Sequence, residues 1–192
     1  MVRERKFSTE SLFQATKQSL LEHGYEAFTF AILAERLEVS RGTLYKYYDN
    51  KEELVTDFMI FEMNLFLHEM KRIKEYKGFV AQFDFLFEEI FKDPTIPKLI
   101  EMGIQIPVEN NEKVRTNKEK LDILHLDMYQ HLQDFINLGR DEGILKRHLP
   151  DGLLLAMIFQ TINIPNHFGV PRLEWVKSIK EIITTGMFEI DN

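Results

Sequence analysis

The sequence predicts an all-α protein. Glycine and proline together account for only 15 of the 192 residues. They fall between segments in which apolar residues recur at helical spacing, rather than within them. No stretch alternates as a strand would, and there is no repeat or low-complexity tract. The expected helices span about residues 8–23, 30–37, 41–48, 51–75, 78–92, 95–103, 117–142, 151–165 and 173–188, with boundaries uncertain by a few residues.

Composition excludes several classes of protein. The chain has no cysteine, which excludes disulfide frameworks, zinc–thiolate sites, iron–sulfur ligation and cysteine nucleophiles. The amino terminus lacks the apolar region of a secretory signal, and no apolar run approaches the roughly 20 residues that span a bilayer. We therefore expect a soluble cytoplasmic protein with no membrane partner.

The formal charge of −7 is unevenly distributed. Residues 1–52 contain eight Lys or Arg and eight Asp or Glu, so the whole negative excess lies in residues 53–192. Overall acidity argues against a nucleic-acid partner, but residues 1–52 carry no net charge, so acidity does not exclude nucleic-acid binding by this segment. We predict an amino-terminal domain over 1–52 and a carboxy-terminal domain over 53–192.

The first three helices are short and have clear start signals. The predicted N-cap residues are Ser8 or Thr9, then Thr29, Ser40 and, for the fourth helix, Asn50. Glu53, three positions after Asn50, completes a capping-box pattern. Gly24 is expected to end the first helix with a positive φ. Three capped helices in about 40 residues predict one compact unit.

Residues 29–48 have the spacing of a helix-turn-helix. At 100° per residue, Leu44 and Tyr48 share the inner face of the third helix. The outward face would bind a DNA major groove, where cations reach guanine and hydroxyls reach phosphate or base. Lys51, at the start of the next helix, is placed to bind a phosphate. The outward residues are Gly42, Thr43, Lys46 and Tyr47, flanked by Arg41 and Tyr45.

This segment resembles the amino-terminal domain of TetR-family transcriptional regulators over about residues 8–55. The residues that carry the resemblance are Gly24-Tyr25, Thr29, Leu33-Ala34, Val39-Ser40, Gly42-Thr43-Leu44-Tyr45, Tyr47-Tyr48 and Asn50-Lys51. The resemblance implies that Thr43, Tyr45, Tyr47 and Lys51 contact operator DNA and that Thr29 touches a phosphate. Two departures are notable. The turn lacks the family's usual glycine, so Glu38 must accept its geometry, and Tyr48 stands where phenylalanine is usual.

The carboxy-terminal domain is predicted to be a helical bundle for ligand binding and dimerisation. Its aromatic and methionine side chains could line a pocket for a small apolar or amphipathic ligand, although such residues are more often core. From helical phase alone, the pocket residues are Phe61, Phe83, Phe87, Met102 and Met128. Residues 103–118 are expected to form a polar loop.

If the resemblance extends to this half, the last two helices form a two-fold homodimer by four-helix packing. Residues 153–162 are apolar on most faces, and a second apolar stripe follows Val176; such surfaces need a partner. A dimer would also set two recognition helices roughly 34 Å apart on DNA. The expected interface residues are Leu154, Ile158, Trp175, Ile179 and Ile183.

The function predicted from these patterns is a ligand-responsive homodimeric repressor that binds double-stranded, palindromic operator DNA. We expect no enzyme: the sequence has no phosphate-binding glycine loop, catalytic triad, metal site or cofactor motif. Two alternatives remain open. In the first, the amino-terminal domain (the head) serves only for packing in an all-helical module that binds a protein or a ligand. In the second, the protein binds DNA without any ligand. The effector, the operator and the regulated genes cannot be read from the sequence.

Overall fold

The computed structural model describes residues 7–108 and 111–189. These residues form ten α-helices: α1 Thr9–Ala27, α2 Phe30–Arg36, α3 Arg41–Leu44, α4 Lys51–Met70, α5 Phe79–Phe91, α6 Ile96–Gln105, α7 Glu112–His131, α8 Gln133–Asp141, α9 Asp151–Gln160 and α10 Arg172–Met187. Short 3₁₀ turns follow α4 at Lys71–Glu75 and α9 at Thr161–Asn163. Within the described residues the only β-type pairing is a single bridge between Leu145 and Phe188. The all-α prediction is confirmed.

The predicted start signals are largely confirmed. Ser8 Oγ accepts the N–H of Ser11 at 3.0 Å, and Thr29 Oγ1 accepts the N–H of Ile32 at 3.4 Å. Asn50 Oδ1 accepts the N–H of Glu53 at 2.9 Å, which is the predicted cap of α4. Gly24 has φ of 77°, and the Phe28 N–H bonds back to its carbonyl. These local signals are correct because each depends on only three or four neighbouring residues.

Three predicted boundaries are wrong. The expected loop over 103–118 is mostly helical, since α6 continues to Gln105 and α7 begins at Glu112. The expected single helix over 117–142 is divided at Leu132, whose φ of −92° and ψ of 5° leave the helical region. The third helix is α-helical only to Leu44, and a hydrogen-bonded turn continues it. The first turns of α7 are polar on most faces, so apolar periodicity could not reveal them.

Packing divides the described chain into two compact units. The first contains residues 7–65 and 95–124, and the second contains residues 66–94 and 125–189. Each unit therefore combines separate stretches of sequence. The predicted division at residue 52 concerns function rather than packing, and it stays a prediction.

The first unit has one apolar core. Phe13, Phe28, Leu33 and Leu44 are at most 5% exposed, and they join α1, α2 and α3 to the first half of α4. Further buried residues come from α4, α6 and the start of α7: Leu54, Phe58, Leu99, Met102 and Val114. The predicted inward orientation of Leu44 and Tyr48 is confirmed, since they are 0% and 9% exposed. This core holds α2 and α3 in place.

The second unit is built around phenylalanine rings. Phe79 stacks on Phe135 with ring centroids 4.7 Å apart, and Phe83 lies 5.8 Å from Phe87. Phe188, after α10, closes this group with an edge-on contact to Phe83 at 5.3 Å. Offset and edge-on arrangements of this kind are the preferred geometries of aromatic rings. These phenylalanine side chains are therefore used in packing.

No helix in the described ranges combines the length and the hydropathy that a membrane crossing requires.

Candidate nucleic-acid interface

A tight turn between α2 and α3 sets the direction of the third helix. The N–H of Val39 bonds to the carbonyl of Ala34 at 2.9 Å, and the N–H of Glu38 bonds to the carbonyl of Glu35 at 3.1 Å. These two bonds define a Schellman motif, in which the penultimate residue takes a left-handed conformation. That residue is Glu38, with φ of 53°. The expectation that Glu38 must accept the geometry of a glycine is confirmed.

The backbone of α3 is continued by a turn that keeps its side chains in helical order. The N–H groups of Tyr47 and Tyr48 both bond to the carbonyl of Leu44, at 2.9 and 3.1 Å. Ser40 occupies the N-cap position, but its hydroxyl bonds to the Thr43 hydroxyl at 2.9 Å instead of capping a backbone N–H. The predicted Ser40 cap is thus correct in position and different in its hydrogen bond.

Four predicted contact residues are exposed on this segment. Arg41, Gly42, Tyr45 and Lys46 all lie at the surface of the unit. The ring of Tyr45 is 56% exposed and rests 4.9 Å from that of Phe30, which orients its hydroxyl. A Cβ added at Gly42 would meet nothing closer than Ser40 Oγ at 3.9 Å. No neighbour within the described chain therefore requires glycine at this position.

Thr43 and Tyr47 are half-buried rather than fully exposed. The Tyr47 ring makes an edge-on contact with Phe7, with centroids 5.6 Å apart. Thr43 uses its hydroxyl toward Ser40. Both residues thus support the segment as well as bordering its outer face, and substitutions at either position would disturb packing.

Lys51 has protein partners that the sequence did not predict. Its Nζ donates to the carbonyls of Tyr25 and Glu26 at 2.9 and 3.2 Å, and it lies 4.4 Å from the centre of the Tyr25 ring. The Tyr25 hydroxyl donates to Glu52 Oε1 at 3.0 Å. Burial, together with this carboxylate, raises the pKa of Tyr25 far above its ordinary value. Lys51 therefore joins the end of α1 to the start of α4.

Together these residues form a surface suited to a polyanion. Two cations, Arg41 and Lys46, and the Tyr45 hydroxyl point outward from a short helical segment whose inner side is anchored in the core. Arg and Lys can neutralise phosphates or bind guanine edges, and a tyrosine hydroxyl can donate to phosphate. Thr29 is exposed at the amino end of α2, beside free helix N–H groups that favour an anion.

Comparison with known proteins agrees with this geometry. Residues 12–57 match the family described as bacterial regulatory proteins, tetR family. A Haemophilus influenzae protein described as an uncharacterised HTH-type transcriptional regulator is 28% identical over 92 residues, which is 45% of this chain and 49% of that protein. The matched stretch thus spans about half the length of this curated relative.

Residues 12–57 of this chain therefore match the DNA-binding segment of the TetR family of transcriptional regulators. The TetR-family segment is the helix-turn-helix described above. For the remainder of the chain, the likeness to solved structures shows the fold. The regulator FadR from Bacillus subtilis, in complex with stearoyl-CoA, is 20% identical with a TM-score of 0.72, covering 93% of this chain and 99% of FadR. The ketosteroid regulator KstR2 of Mycobacterium tuberculosis is 16% identical with a TM-score of 0.67, covering 99% and 98%.

The predicted pocket residues are divided between the two units of the chain. Phe61 and Met102 belong to the first unit, where Phe61 lies 4.9 Å from Phe13 and Met102 is buried in the core. Phe83, Phe87 and Met128 are buried in the second unit. The rings of Phe83 and Phe87 pack on other phenylalanines. Phe83 and Phe87 are therefore part of the packed core of the second unit.

Most of the predicted dimer-interface residues are buried within the protomer, and their part in a dimer stays a prediction. Leu154, Ile158, Ile179 and Ile183 are at most 5% exposed inside their own protomer, and Trp175 is half-buried. Because α9 is apolar on most faces, helical periodicity did not reveal which of its faces is internal. In the structure α9 and α10 contact each other. The exposed apolar residues of the same region are Leu153, Met157, Ile164, Phe168, Leu173 and Ile182.

Sequence reasoning also missed a polar group next to α3 and the turn that follows it (residues 41–48, the recognition segment). Glu53 is only 6% exposed, and it is the one charged side chain among the buried polar residues in the described part of the chain. Its carboxylate contacts Asn111 and Lys113, which lie near the start of α7. The capping-box pattern identified Glu53, but nothing local could identify partners 58 and 60 residues away.

Proposed function

We propose that this protein is a ligand-responsive homodimeric repressor of a palindromic operator. The observation that carries the proposal is the exposed segment of Arg41, Gly42, Tyr45 and Lys46, which projects from a capped and well-anchored helix-turn-helix. The match over residues 12–57 to the TetR family supports the same conclusion.

In the proposed complex, α3 and the turn after it enter the major groove. Arg41 and Lys46 contact base edges or phosphates, and the absence of a side chain at Gly42 lets the backbone approach the DNA. We expect Thr29, Thr43, Tyr47 and Lys51 to border this surface. Lys51 keeps its carbonyl partners and uses its remaining N–H toward phosphate.

Dimerisation is proposed through the exposed apolar side chains around α9 and α10. Leu153 and Met157 lie one turn apart on α9, and Leu173 is 85% exposed in the first turn of α10. Large exposed apolar surfaces usually mark interaction sites. A second copy is the natural occupant, since one short recognition helix reads too few base pairs and two must be set about one DNA turn apart.

Ligand response is proposed from the second half of the chain. FadR from Bacillus subtilis shares its fold with this protein and was crystallised with stearoyl-CoA. We propose a small apolar or amphipathic effector that favours a conformation in which the two heads no longer match successive major grooves. Such a ligand acts only through different affinities for the two conformations.

DNA binding is tested with two exposed lysines. A duplex is first selected from a random library with the wild-type protein, and its affinity is measured over a range of salt concentrations. Lys46→Ala should weaken binding and reduce the salt slope by about one phosphate contact. Lys120→Ala, an equal loss of charge on exposed α7, is the matched control. Equal affinities of the two variants at every salt concentration would contradict the proposed interface.

Oligomeric state and ligand response are tested separately. Analytical ultracentrifugation should show a wild-type dimer that Leu173→Glu weakens, because this side chain is 85% exposed and contributes little to the protomer core. Stearoyl-CoA is the first effector probe, with release of the selected duplex as the readout. A wild-type monomer would refute the dimer. DNA release by none of a panel of apolar and amphipathic compounds would favour the ligand-independent alternative.

A further inference from the structure

One buried carboxylate joins the amino-terminal ends of two helices directly behind the recognition segment. Glu53 Oε1 accepts the side-chain N–H groups of both Asn50 and Asn111, each at 3.2 Å. Glu53 Oε2 lies 3.2 Å from Nζ of Lys113. Residues of α4 and α7 that are almost sixty positions apart in sequence thus share a single acceptor.

The two asparagines are also helix caps. Asn50 Oδ1 accepts the N–H of Glu53 in α4, and Asn111 Oδ1 accepts the N–H of Val114 in α7, at 2.9 and 3.0 Å. Each cap therefore satisfies its own helix with the oxygen and reaches Glu53 with the nitrogen. Two positive helix ends converge on one negative charge, which is a favourable electrostatic arrangement.

A second polar contact follows one turn further along. Asn117 Nδ2 donates to Thr56 Oγ1 and Asp57 Oδ1, both at 3.0 Å, and Asn117 and Thr56 are at most 8% exposed. The two contacts fix the register of α4 against α7. Buried polar networks of this kind favour one specific arrangement over others that apolar packing would also allow.

The same group reaches the recognition segment itself. Lys113 Nζ lies 5.1 Å from the centre of the Tyr48 ring, and Tyr48 is the buried residue that ends the turn after α3. Lys113 thus contacts both the first turn of α4 and the segment that carries Tyr45 and Lys46. Burial opposes ionisation of Glu53, but the hydrogen bonds from Asn111 and Lys113 outweigh it and lower the pKa of its carboxyl.

We propose that Asn111 and Lys113 are positioning residues for DNA binding: through Glu53 and Tyr48 they set the orientation in which α3 and the start of α4 are presented to the operator. This inference rests on the proposed function. It makes the α6–α7 region, outside the helix-turn-helix, a control point for operator affinity. Neither residue touches DNA in this role.

Two variants break the group while leaving the helices capped. Lys113→Met removes the charge but keeps an unbranched stem near Tyr48. Asn111→Asp keeps an N-cap acceptor for α7 and replaces the N–H donor by a carboxylate facing Glu53. Arg115→Met is the matched control, since it removes the same charge from an exposed position two residues further along α7.

Operator affinity is measured on the duplex selected with the wild-type protein. Lys113→Met should weaken binding by about 5-fold, the most that a partly exposed ion pair supplies, and Asn111→Asp by more. Lys113→Arg should restore wild-type affinity, whereas Arg115→Met should show only the small effect of general charge. With Glu53→Gln in the background, Lys113→Met should have a smaller effect than in the wild type, because the ion pair is already lost and only the contact with Tyr48 remains to be broken.

The inference is overturned if Lys113→Met and Asn111→Asp bind as Arg115→Met does, or if the effects of Glu53→Gln and Lys113→Met simply add. A wild-type protein that enriches no duplex would refute the proposed function instead. In that event, amide hydrogen exchange decides the positioning role. Faster exchange over residues 44–56 in both variants, but not in Arg115→Met, supports it; unchanged exchange overturns it.

Discussion

The turn between α2 and α3 offers a sharp test of backbone strain. Glu38 is held at φ of 53° by the two hydrogen bonds of the Schellman motif, and its side chain is exposed. An L-residue in the left-handed region costs roughly 1–2 kcal/mol because its Cβ approaches a carbonyl oxygen. Glycine has no Cβ and avoids this cost.

The expected gain from Glu38→Gly is smaller than the strain itself. Glycine also increases the conformational entropy of the unfolded chain, which takes back about 0.4–1 kcal/mol. The free energy of unfolding should therefore rise by about 0.5 kcal/mol, equivalent to about 1–2 °C in Tm for a chain of this size. Glu38→Ala keeps the Cβ and should bring no gain.

A second Glu→Gly substitution gives a difference in the free energy of unfolding that is large enough to measure. Glu35 is equally exposed but lies within α2 in helical conformation. Glu35→Gly should cost about 1 kcal/mol through lost helix propensity, so two identical substitutions three residues apart should differ by about 1.5 kcal/mol. Urea unfolding at one fixed protein concentration measures all three variants, since dimer stability depends on concentration. The reasoning is refuted if Glu38→Gly is no more stable than Glu38→Ala, or if both Glu→Gly changes destabilise equally.

Three further predictions concern the interface, the polar group and the core. Gly42→Ala should raise the free energy of unfolding by about 0.5 kcal/mol while weakening operator binding, since in the proposed complex the protein backbone approaches the DNA closely at this position. Unchanged affinity would contradict that close approach. Because the pKa of Glu53 is lowered, its ion pair with Lys113 stabilises the fold above the ordinary glutamate pKa, and this stabilisation is lost as pH falls through the lowered value. The difference in free energy of unfolding between wild type and Glu53→Gln, measured from pH 7 downward, should therefore shrink on acidification and not grow. Ile158→Ala should lower the free energy of unfolding by about 2–5 kcal/mol because the side chain is fully buried. Leu153 is 49% exposed, so Leu153→Ala should mainly raise the dimer dissociation constant. If Leu153→Ala destabilises the fold more than Ile158→Ala does, the inner and outer faces of α9 are misassigned.

Local features of the fold were readable from the sequence. The caps at Ser8, Thr29 and Asn50, and the positive φ of Gly24, depend on bonds within one turn of the chain, so residue type and spacing are sufficient. The inward orientation of Leu44 and Tyr48 followed from helical periodicity. The left-handed Glu38 was expected because the resemblance places a glycine there. The helix-turn-helix and the exposure of Arg41, Gly42, Tyr45 and Lys46 are therefore determined by local sequence.

Tertiary structure decided what depends on distant partners. α9 is apolar on most faces, so periodicity could not distinguish the buried Ile158 from the exposed Leu153. The charge of Lys51 predicted a phosphate contact, but two backbone carbonyls brought close by folding take two of its three N–H donors. Asn111 and Lys113 read as part of a polar loop, yet they meet the buried carboxylate of Glu53 in contacts that no local pattern encodes. Sequence determines the elements whose energy is local, and folding decides which of their surfaces face one another.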